Sequence, residues 1–232
     1  MLRAASHQIV SAEFADLDAN YLRWLPADRD ASILDVGCGS GRVLAFLERR
    51  GFRRVEGFDA DAQAVAAAAA RVSSRVTVCS DWHAFFAAQP RTYDLVVLKD
   101  VLYYLPIDAL VPHLEHVRAA LHPGGRVIVE VFNGAAFTGP FVAYKDTAIR
   151  WIPTEHSIRQ ALEHAGFASV TLAAHVPPRG SWRRRIFNAA GGVWRVVLRA
   201  IYAVERGWDE ANPRILTTKL IAVAESPRAR AS

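Results

Sequence analysis

A glycine-rich turn is the first part of the sequence in which residue types and spacing can do chemistry. The stretch Ile33–Leu44, ILDVGCGSGRVL, places Gly37, Gly39 and Gly41 directly after an apolar run. Glycine tolerates positive φ and has no Cβ, so alternating glycines let a ligand approach the backbone closely. Three ligand classes compete for such a turn. They are the phosphates of a mononucleotide, a dinucleotide, and an adenosyl compound that has no phosphates.

The spacing favours one of these classes. A mononucleotide loop needs Gly-Lys-Ser/Thr where the helix begins, but the chain has Gly41-Arg42-Val43 there. A dinucleotide site prefers G-x-G-x-x-G, and the sixth position counted from Gly37 is Arg42. The pattern D-x-G-x-G-x-G, which suits an adenosyl ligand, is complete from Asp35 to Gly41. A tight turn that binds no ligand is the alternative.

Acidic residues also follow the next two apolar runs. Asp59 in VEGFDAD can accept hydrogen bonds from two ribose hydroxyls, while Asp61 is better placed to cap a helix that begins at Ala62. Asp81 in VTVCSDWHAF can accept from an adenine amino group, with Trp82 beside the ring, or it can cap the next helix. Acids after three successive strands indicate one ligand-facing edge.

Apolar runs alternate with helical patterns, which predicts an α/β fold with a parallel sheet and helices on both faces. A short return before the last strand would make that strand antiparallel. The predicted strands are Ser32–Val36, Arg54–Phe58, Val76–Cys79, Tyr93–Leu98, Arg126–Phe132, Ala168–His175 and Leu216–Ala224. The predicted helices are Ser11–Leu25, Gly41–Arg50, Ala62–Arg71, Ala84–Ala88, Leu110–Ala120, His156–Ala165 and Arg184–Glu205, the last one broken at Gly191-Gly192.

Length and composition predict one domain. The chain has 232 residues, 52% of them hydrophobic, which is enough for a single α/β core. We expect a helical cap over residues 1–30, a cofactor-binding core over 31–133, a substrate-side region over 134–224 with a basic helical insertion at about 181–207, and a tail over 225–232. With no uncharged run of ~18 apolar residues, no signal-peptide pattern and only Cys38 and Cys79, we expect a cytoplasmic protein with reduced thiols.

Together these motifs resemble the class I S-adenosylmethionine-dependent methyltransferases. The resemblance runs from about Ile33 to Phe132, resumes near Asn133–Phe167, and depends on LDVGCGSG, VEGFDAD, SDW, YDLVVLKDVLYYLP and LHPGGRVIVEVFN. It implies a Rossmann-like seven-stranded sheet in the order 3-2-1-4-5-7-6, with strand 7 antiparallel and helices on both faces.

The resemblance also implies S-adenosylmethionine as cofactor. Asp59 would hold the ribose, Asp81 and Trp82 the adenine, and the glycine turn the methionine end, with the substrate side lined by the end of strand four. The implied set contains no metal ligand. Its members are Asp35, Gly37, Cys38, Gly39, Gly41, Asp59, Ala60, Asp81, Trp82, Leu98 and Lys99.

Part of the chain after strand five resembles small-molecule methyltransferases of polysaccharide and cell-envelope glycan pathways. The matching residues are Phe132-Asn133, Tyr144, Asp146, Thr154 and Ser157-Ile158. The subgroup's Thr-His-Glu triplet is replaced by Ala148-Ile149-Arg150, which removes the base that the triplet would supply. Asp146 or Glu155 can replace it, or the acceptor needs no base.

Methyl transfer itself requires little from the protein beyond alignment, which can supply on the order of 7–11 kcal/mol. A hydroxyl acceptor benefits from a base. We expect Asp146, His83 or Tyr104 to be the catalytic residue; His156, Asp100 and Tyr103 are weaker candidates.

A basic segment separates the last two strands. The chain carries a net charge of +5, and no acid occurs between Trp182 and Arg199. An apolar face through Trp194, Val197, Leu198 and Ile201 lies opposite Arg195 and Arg199 at helical spacing. Three interpretations stand: a helix packed on the domain with a solvated basic face, contact with an anionic membrane or lipid phosphate, or contact with nucleic acid. The arginines concerned are Arg183, Arg184, Arg185, Arg195 and Arg199.

These observations predict a methyltransferase that O-methylates a small molecule: a glycan, a glycolipid precursor or a secondary metabolite. We expect peripheral contact with the inner membrane surface through the arginines and no specific nucleic acid partner. An RNA or DNA methyltransferase is the first alternative, but Lys99-Asp100-Val101-Leu102 replaces the Asn/Asp-Pro-Pro-Tyr/Phe motif of many base-methylating enzymes. A cofactor-binding protein without transfer activity is the second.

Overall fold

The computed structural model describes residues 13–88, 93–177 and 182–228, which form a seven-stranded sheet with helices on both faces. The strands are β1 Ser32–Val36, β2 Arg54–Asp59, β3 Arg75–Val78, β4 Tyr93–Lys99, β5 Leu121–Phe132, β6 Ser169–Ala174 and β7 Lys219–Glu225. The helices are α1 Ala15–Tyr21, α2 Arg42–Arg49, α3 Ala62–Arg71, α4 Trp82–Ala88, α5 Leu110–Ala120, α6 Gly139–Tyr144, α7 Glu155–His164 and α8 Trp182–Arg206. Within the predicted cap, insertion and tail, residues 1–12, 181 and 229–232 lie outside the described residues.

The strand order is β3-β2-β1-β4-β5-β7-β6, so the predicted order is confirmed. Strands β1 to β5 are mutually parallel, and β7 runs antiparallel to both β5 and β6. The order changes direction between β1 and β4, which leaves a crevice at their carboxyl ends. That crevice is where ligands bind in open sheets of this type.

The central strands are buried on both faces because side chains alternate between two layers of helices. In β4, Leu95 and Val97 face the layer that contains α1 and α2, whereas Val96 and Leu98 face the layer that contains α4, α5 and α7. This alternation decides which polar side chains at the strand ends share a face.

Several boundaries differ from the prediction, and those of β5 and β7 have a clear cause. Strand β5 begins at Leu121, not at Arg126, because Leu121 pairs with Tyr93 of β4 before the register shifts. The predicted tail begins too early, since Glu225 ends β7 and Ser226 is buried. The Ser226 N–H donates to the carbonyl of Gly125 at 2.8 Å, so the pairing of this strand with β5 continues beyond Glu225.

Helix α8 differs more. The predicted break at Gly191-Gly192 is wrong, because α8 continues from Trp182 to Arg206. Two interior glycines weaken a helix by about 1 kcal/mol each, which the other positions of a 25-residue helix can offset. The guanidinium of Arg195 lies beside Gly191, where an added Cβ would be 3.3 Å from Nη1.

Helix α8 packs on the domain through Leu198 and Tyr202, and Arg183, Arg184, Arg185 and Arg199 are exposed, but its exposed surface is not purely basic. The positions that face the domain include Gly191, Arg195, Leu198 and Tyr202, and the side chain of Leu198 is buried. The surface turned away from the domain carries large apolar side chains together with arginines. Among the described residues, no helix has both the length and the apolar character needed to cross a bilayer.

Candidate active site

The turn after β1 is left-handed at all three glycines, with φ of +68° at Gly37, +49° at Gly39 and +75° at Gly41. The N–H groups of Gly37 and Cys38 both donate to the carbonyl of Phe58 in β2, at 2.8 and 3.0 Å. Backbone hydrogen bonds therefore hold the turn against the neighbouring strand, so its shape exists without a ligand.

The reason for a glycine is not the same at all three positions of the turn. A Cβ at Gly37 would lie 2.7 Å from Val101 Cγ2, and one at Gly41 would lie 3.0 Å from the Cβ of Ala68. At Gly39 an added Cβ would meet no heavy atom within 4 Å. Packing therefore explains Gly37 and Gly41, whereas Gly39 borders open space that a ligand can occupy.

Asp59 joins the glycine turn to the turn after β2. Its Oδ2 accepts from the Gly39 N–H at 2.8 Å, and its Oδ1 accepts from the Asp61 N–H at 2.9 Å. Asp61 caps α3 by accepting from the N–H groups of Gln63 and Ala64, which confirms the predicted division of roles. A carboxylate has about four acceptor positions, so Asp59 retains capacity for ligand hydroxyls.

Asp35 is a buried carboxylate without a partner. It is 1% exposed, and neither side-chain oxygen has a hydrogen-bond partner among the described residues. Burial, reinforced by the charge of Asp59 and opposed by Lys99, raises the pKa of Asp35 to about 8. Unpaired buried polar groups are unfavourable, so this site is suited to a cationic or donor group beside the turn.

The residues predicted at the adenine end differ in their exposure to solvent. Ala60 and Asp81 are exposed, and Asp81 Oδ1 accepts from the Ala84 N–H at 3.1 Å, so Asp81 caps α4. Trp82 is only 6% exposed and packs edge-on against Phe58 and His113. This burial argues against a free stacking face at Trp82, whereas Ala60 and Asp81 are accessible.

Two further predicted residues have buried side chains. The structure contradicts Leu98 as a lining side chain, because it is fully buried on the opposite face of β4 from Lys99. Cys38 packs against Gly57, and burial, followed by the charge of Asp35, raises the pKa of its thiol to about 12. Cys38 is therefore a neutral packing residue, and its backbone is the part that borders the turn.

A second polar site, which we call the charged cluster, lies at the carboxyl ends of β4 and β5 and the start of β7. Lys219 Nζ lies 2.5 Å from Asp100 Oδ2 and 2.9 Å from Glu130 Oε1. Lys99 forms ion pairs with the same two carboxylates, and the Tyr21 hydroxyl of α1 donates to Glu130 Oε2 at 2.9 Å. The members of the charged cluster are Tyr21, Lys99, Asp100, Glu130 and Lys219.

The charges in this cluster stabilise one another. Burial raises the pKa of Asp100, but Lys219 and Lys99 outweigh it, so the pKa is lowered overall. Burial lowers the pKa of Lys99, but Glu130 and Asp100 outweigh it, so that pKa is raised. Asp100 has φ of +58°, and its Oδ1 is buried without a partner among the described residues. Backbone strain and an unpaired oxygen in one residue are typical of functional sites.

Sequence reasoning missed most of this cluster. Of its members, only Lys99 was predicted to line the cofactor, and Asp100 was a weaker catalytic candidate. A signal was present, because Glu130 interrupts the apolar run RVIVEVF and Lys219 directly precedes LIAVA.

The predicted catalytic residues separate into two places. The Tyr104 hydroxyl lies 3.3 Å from Asp146 Oδ2, although the two residues are 42 positions apart. Asp146 Oδ1 accepts from the Ala148 N–H, which orients the carboxylate. His83 lies elsewhere, on α4, where its Nδ1 is 2.8 Å from Nε2 of His116 on α5.

Glu155 is wrong as a replacement base. It is buried, and its two oxygens accept from the N–H groups of Arg214 and Ile215 at 3.0 and 2.6 Å. Both oxygens are used to hold the segment before β7. Its neighbour His156 is half-exposed at the start of α7.

A cavity of about 250 Å³ lies between α8, the loop after β5 and the start of β7. Its polar lining includes His175, Arg195, Thr217 and Thr218. Asn133 shapes the floor, because its Nδ2 donates to the carbonyls of Ile215 and Thr217 at 2.7 and 3.0 Å. Burial lowers the pKa of His175, so a neutral imidazole lines the cavity. Neither His175 nor the cavity was predicted. No described group of three or more His, Cys, Asp or Glu residues is arranged to hold a metal ion.

Comparison with known proteins supports one family. Residues 9–172 match a family model described as a methyltransferase domain, which is more than half of the chain. A search among curated proteins found no match.

Solved structures share the fold. A SAM-dependent methyltransferase from Archaeoglobus fulgidus is 17% identical with a TM-score of 0.66, covering 94% of this chain and 99% of that one. A Haloferax volcanii methyltransferase solved with the Trm112 methyltransferase activator is 17% identical with a TM-score of 0.64, covering 97% and 95%. Magnesium protoporphyrin IX methyltransferase from Synechocystis, solved with bound SAM, is 17% identical with a TM-score of 0.56, covering 95% and 82%.

Proposed function

We propose that this chain, which belongs to the methyltransferase-domain family, is an S-adenosylmethionine-dependent methyltransferase that O-methylates a small molecule. The observation that carries the proposal is the glycine turn, where Gly39 borders open space between Asp35 and Asp59. When bound, the cofactor supplies a methyl group already activated on a sulfonium. The protein must bind it, orient the acceptor and exclude water.

The residues at the turn fit this cofactor. Asp59 accepts hydrogen bonds from the ribose hydroxyls with the acceptor capacity that its two backbone contacts leave. Asp35 supplies the negative partner for the amino group of the methionine end, which ends its unpaired state. Asp81 and Ala60 border the adenine from the exposed edge.

The acceptor binds on the other side of the charged cluster. Asp146 takes the proton from the acceptor hydroxyl, and Tyr104, at 3.3 Å, holds that carboxylate in position. Tyr104 is itself accessible, which supports an acceptor beside the pair. Lys99 and Lys219 are committed to ion pairs and therefore build the wall between the two sites.

The chain divides accordingly in this proposal. The described part of the predicted cap is residues 13–30, of which Tyr21 reaches the charged cluster. Residues 31–133 bind the cofactor, and residues 134–224 bind the acceptor, with the segment 181–207 as the wall of the cavity. The acceptor is a glycan, a glycolipid precursor or a secondary metabolite. A nucleic acid acceptor is less consistent with the structure, because large exposed apolar side chains are interleaved with the exposed arginines of α8.

Calorimetry with S-adenosylmethionine tests the cofactor, and transfer of labelled methyl groups to fractionated cell extracts tests the acceptor. We expect label in the soluble or lipid fraction. Label confined to nucleic acid would contradict the acceptor class, and cofactor binding without any transfer would identify a non-catalytic protein.

Asp146→Asn tests the proposed base. We expect kcat to fall by about 10²–10⁴-fold with little change in KM or cofactor affinity, because only proton removal is affected. The control Asp108→Asn removes an exposed carboxylate from the short helical turn Ile107–Ala109 and should change neither constant. An unchanged kcat in Asp146→Asn would show that the acceptor needs no base at this position.

A further inference from the structure

Helix α8 exposes a continuous apolar face, which we call the outer face. Its members are spaced by four or seven residues along the helix, so they form one stripe. Val193 is 68% exposed and Val204 is 86% exposed. The exposed large side chains of the outer face are Trp182, Ile186, Val193, Val197 and Val204.

The inner face shows why the outer face is left uncovered. Leu198 is the buried side chain of α8, and it packs with Ala135 and Leu216 in a small cluster. The Tyr202 hydroxyl donates to the Ala135 carbonyl at 3.3 Å, and Arg199 donates to the Arg214 carbonyl at 3.1 Å. An amphipathic helix on a domain normally turns its apolar stripe inward, and α8 does the reverse.

Arginines accompany this apolar face. Arg183, Arg184 and Arg185 occupy the first turn of α8, where positive charge opposes the helix dipole. Among the residues that the structure describes, none of the three has an ion pair, and the first acid of α8 is Glu205. An anionic surface would supply the missing counter-charge.

Aromatic side chains continue the exposed apolar surface beside α8. Phe137 lies edge-on to Trp194 with ring centroids 5.2 Å apart, and Trp208 is 97% exposed just after the helix. Phe141 and Tyr144 of α6 are also exposed. A helix with an apolar face, arginines beside it and aromatic neighbours has the composition of helices that lie in the plane of a membrane interface.

We propose that the outer face of α8 docks on an anionic lipid surface and that the acceptor in the cavity behind it is lipid-linked. Lipid satisfies both features at once, since acyl chains cover the apolar stripe and lipid phosphates meet the arginines. A second copy of the chain could also cover the apolar stripe, and the light-scattering measurement below distinguishes it from lipid. The acceptor class rests on the proposed function, whereas the docking surface does not.

The helix connects the two parts of the proposal. Trp194 and Arg195 line the cavity from α8, so the element that meets the lipid is also a wall of this cavity. Arg195 has no ion pair among the described residues and presents a guanidinium suited to a phosphate. A phosphate-bearing lipid headgroup fits this wall.

Co-sedimentation of the full chain with vesicles tests the docking surface. The vesicles are phosphatidylcholine alone, or phosphatidylcholine with phosphatidylglycerol. We expect binding to the anionic vesicles at low salt, weaker binding at high salt, and little binding to phosphatidylcholine alone. The outer-face variant carries Ile186→Ser, Val193→Ser and Val204→Ser; the arginine variant carries Arg183→Gln, Arg184→Gln and Arg185→Gln.

Both variants should lower the apparent partition coefficient by at least about tenfold, since each arginine near an anionic surface strengthens binding about fivefold. Matched controls change exposed residues elsewhere and should bind like the unmodified chain. The apolar control carries Leu22→Ser, Val78→Ser and Ile107→Ser; the charge control carries Arg29→Gln, Arg53→Gln and Arg54→Gln. Urea denaturation of every preparation shows whether each variant is folded, and calorimetry with S-adenosylmethionine measures cofactor binding separately.

Absence of vesicle binding by the unmodified chain would overturn the proposal, as would equal losses in the variants and their controls. Light scattering that shows a dimer dissociated only by the outer-face variant would assign the face to a second copy and overturn the lipid. Vesicle binding without cofactor binding would instead contradict the proposed function and leave the docking surface intact. If the outer-face variant fails to fold, the arginine variant decides.

Discussion

The glycine turn and the charged cluster lie at the same edge of one sheet, but they are held in different ways. In the turn, backbone N–H groups bond to Phe58 and Asp59, which are close to the turn in neighbouring strands. In the cluster, side chains from positions as distant as Tyr21, Glu130 and Lys219 pair with one another. The first site depends on local backbone shape, and the second on the assembled sheet.

This difference predicts how each site fails. A change at Gly39 should affect ligand binding more than packing, because an added Cβ there would meet no heavy atom within 4 Å. A change in the cluster should affect stability first, because removing one partner leaves a buried charge unpaired. The following experiments test that contrast, beginning with the largest expected effect.

Gly39→Val should abolish cofactor binding, with a loss of more than about 4 kcal/mol in calorimetry, because the new side chain fills the open space. Its effect on unfolding by denaturant should match that of Gly51→Val. Gly51 is a suitable control because it also has positive φ, +86°, with no heavy atom within 4 Å of an added Cβ. Retained binding by folded Gly39→Val would mean that the ligand does not occupy this space.

Lys219→Met should lower the free energy of unfolding by about 3 kcal/mol, because Asp100 and Glu130 would then share Lys99 alone. Urea denaturation measures this change. Lys145→Met is the control: both lysines lie over the Phe132 ring, at 4.7 Å for Lys145 and 5.2 Å for Lys219. The control loses only a cation–π contact, about 0.5–1 kcal/mol. Equal effects would show that the ion pairs contribute no net stability.

Asp59→Ala should weaken cofactor binding by about 1.5–3 kcal/mol, the range for hydrogen bonds that involve a charged group. Asp61→Ala, which changes a nearby carboxylate, is the control. It loses the cap of α3 and about 0.5–2 kcal/mol of stability, but cofactor affinity measured by calorimetry should not change. If Asp61→Ala weakens binding as much as Asp59→Ala, the two carboxylates act through the shared turn and not through ribose contact.

The smallest expected effect is the release of a fraction of a proton when the cofactor binds. Because the pKa of Asp35 is raised to about 8, the carboxyl is mostly protonated at pH 7 in the free protein. A cationic amino group beside it favours the ionised form, so binding should release protons below pH 8 and affinity should rise with pH until about 8. Calorimetry in buffers of different ionisation enthalpy measures the release. Asp35→Asn should abolish this proton release, and any release that remains in the variant comes from titration of the ligand itself. Equal proton release by the unmodified chain and the variant would contradict the pairing of Asp35 with the amino group.

Several features of the fold were predictable because their causes are local. Alternating apolar runs and helical patterns predicted seven strands, and the resemblance to methyltransferases implied their order, which the structure confirms. The cap at Asp61 followed from residue type and position alone. The pairing of Tyr104 with Asp146 was not predicted, although both residues were candidates, because they meet only through the packing of distant loops.

The errors have a common physical origin. Leu98 and Lys99 are neighbours in sequence, but strand alternation sends them to opposite faces, and only the assembled layers show which face reaches the edge. Glu155 has the residue type of a base, but its oxygens are used by the N–H groups of a segment 59 positions later. Residue type predicts what a group can do, and its neighbours decide whether it is free to do it.

The sequence by itself determined the strands, the left-handed glycine turn and the acids in or after the carboxyl ends of β1, β2 and β3, because these depend on backbone sterics and on residues within one strand–turn–helix unit. Only the tertiary structure decided that Asp35 has no partner, that Lys219 completes the charged cluster and that α8 turns its apolar face outward. Those outcomes depend on which long-range contacts fill each space, since burial and pairing belong to neighbours that are distant in the chain.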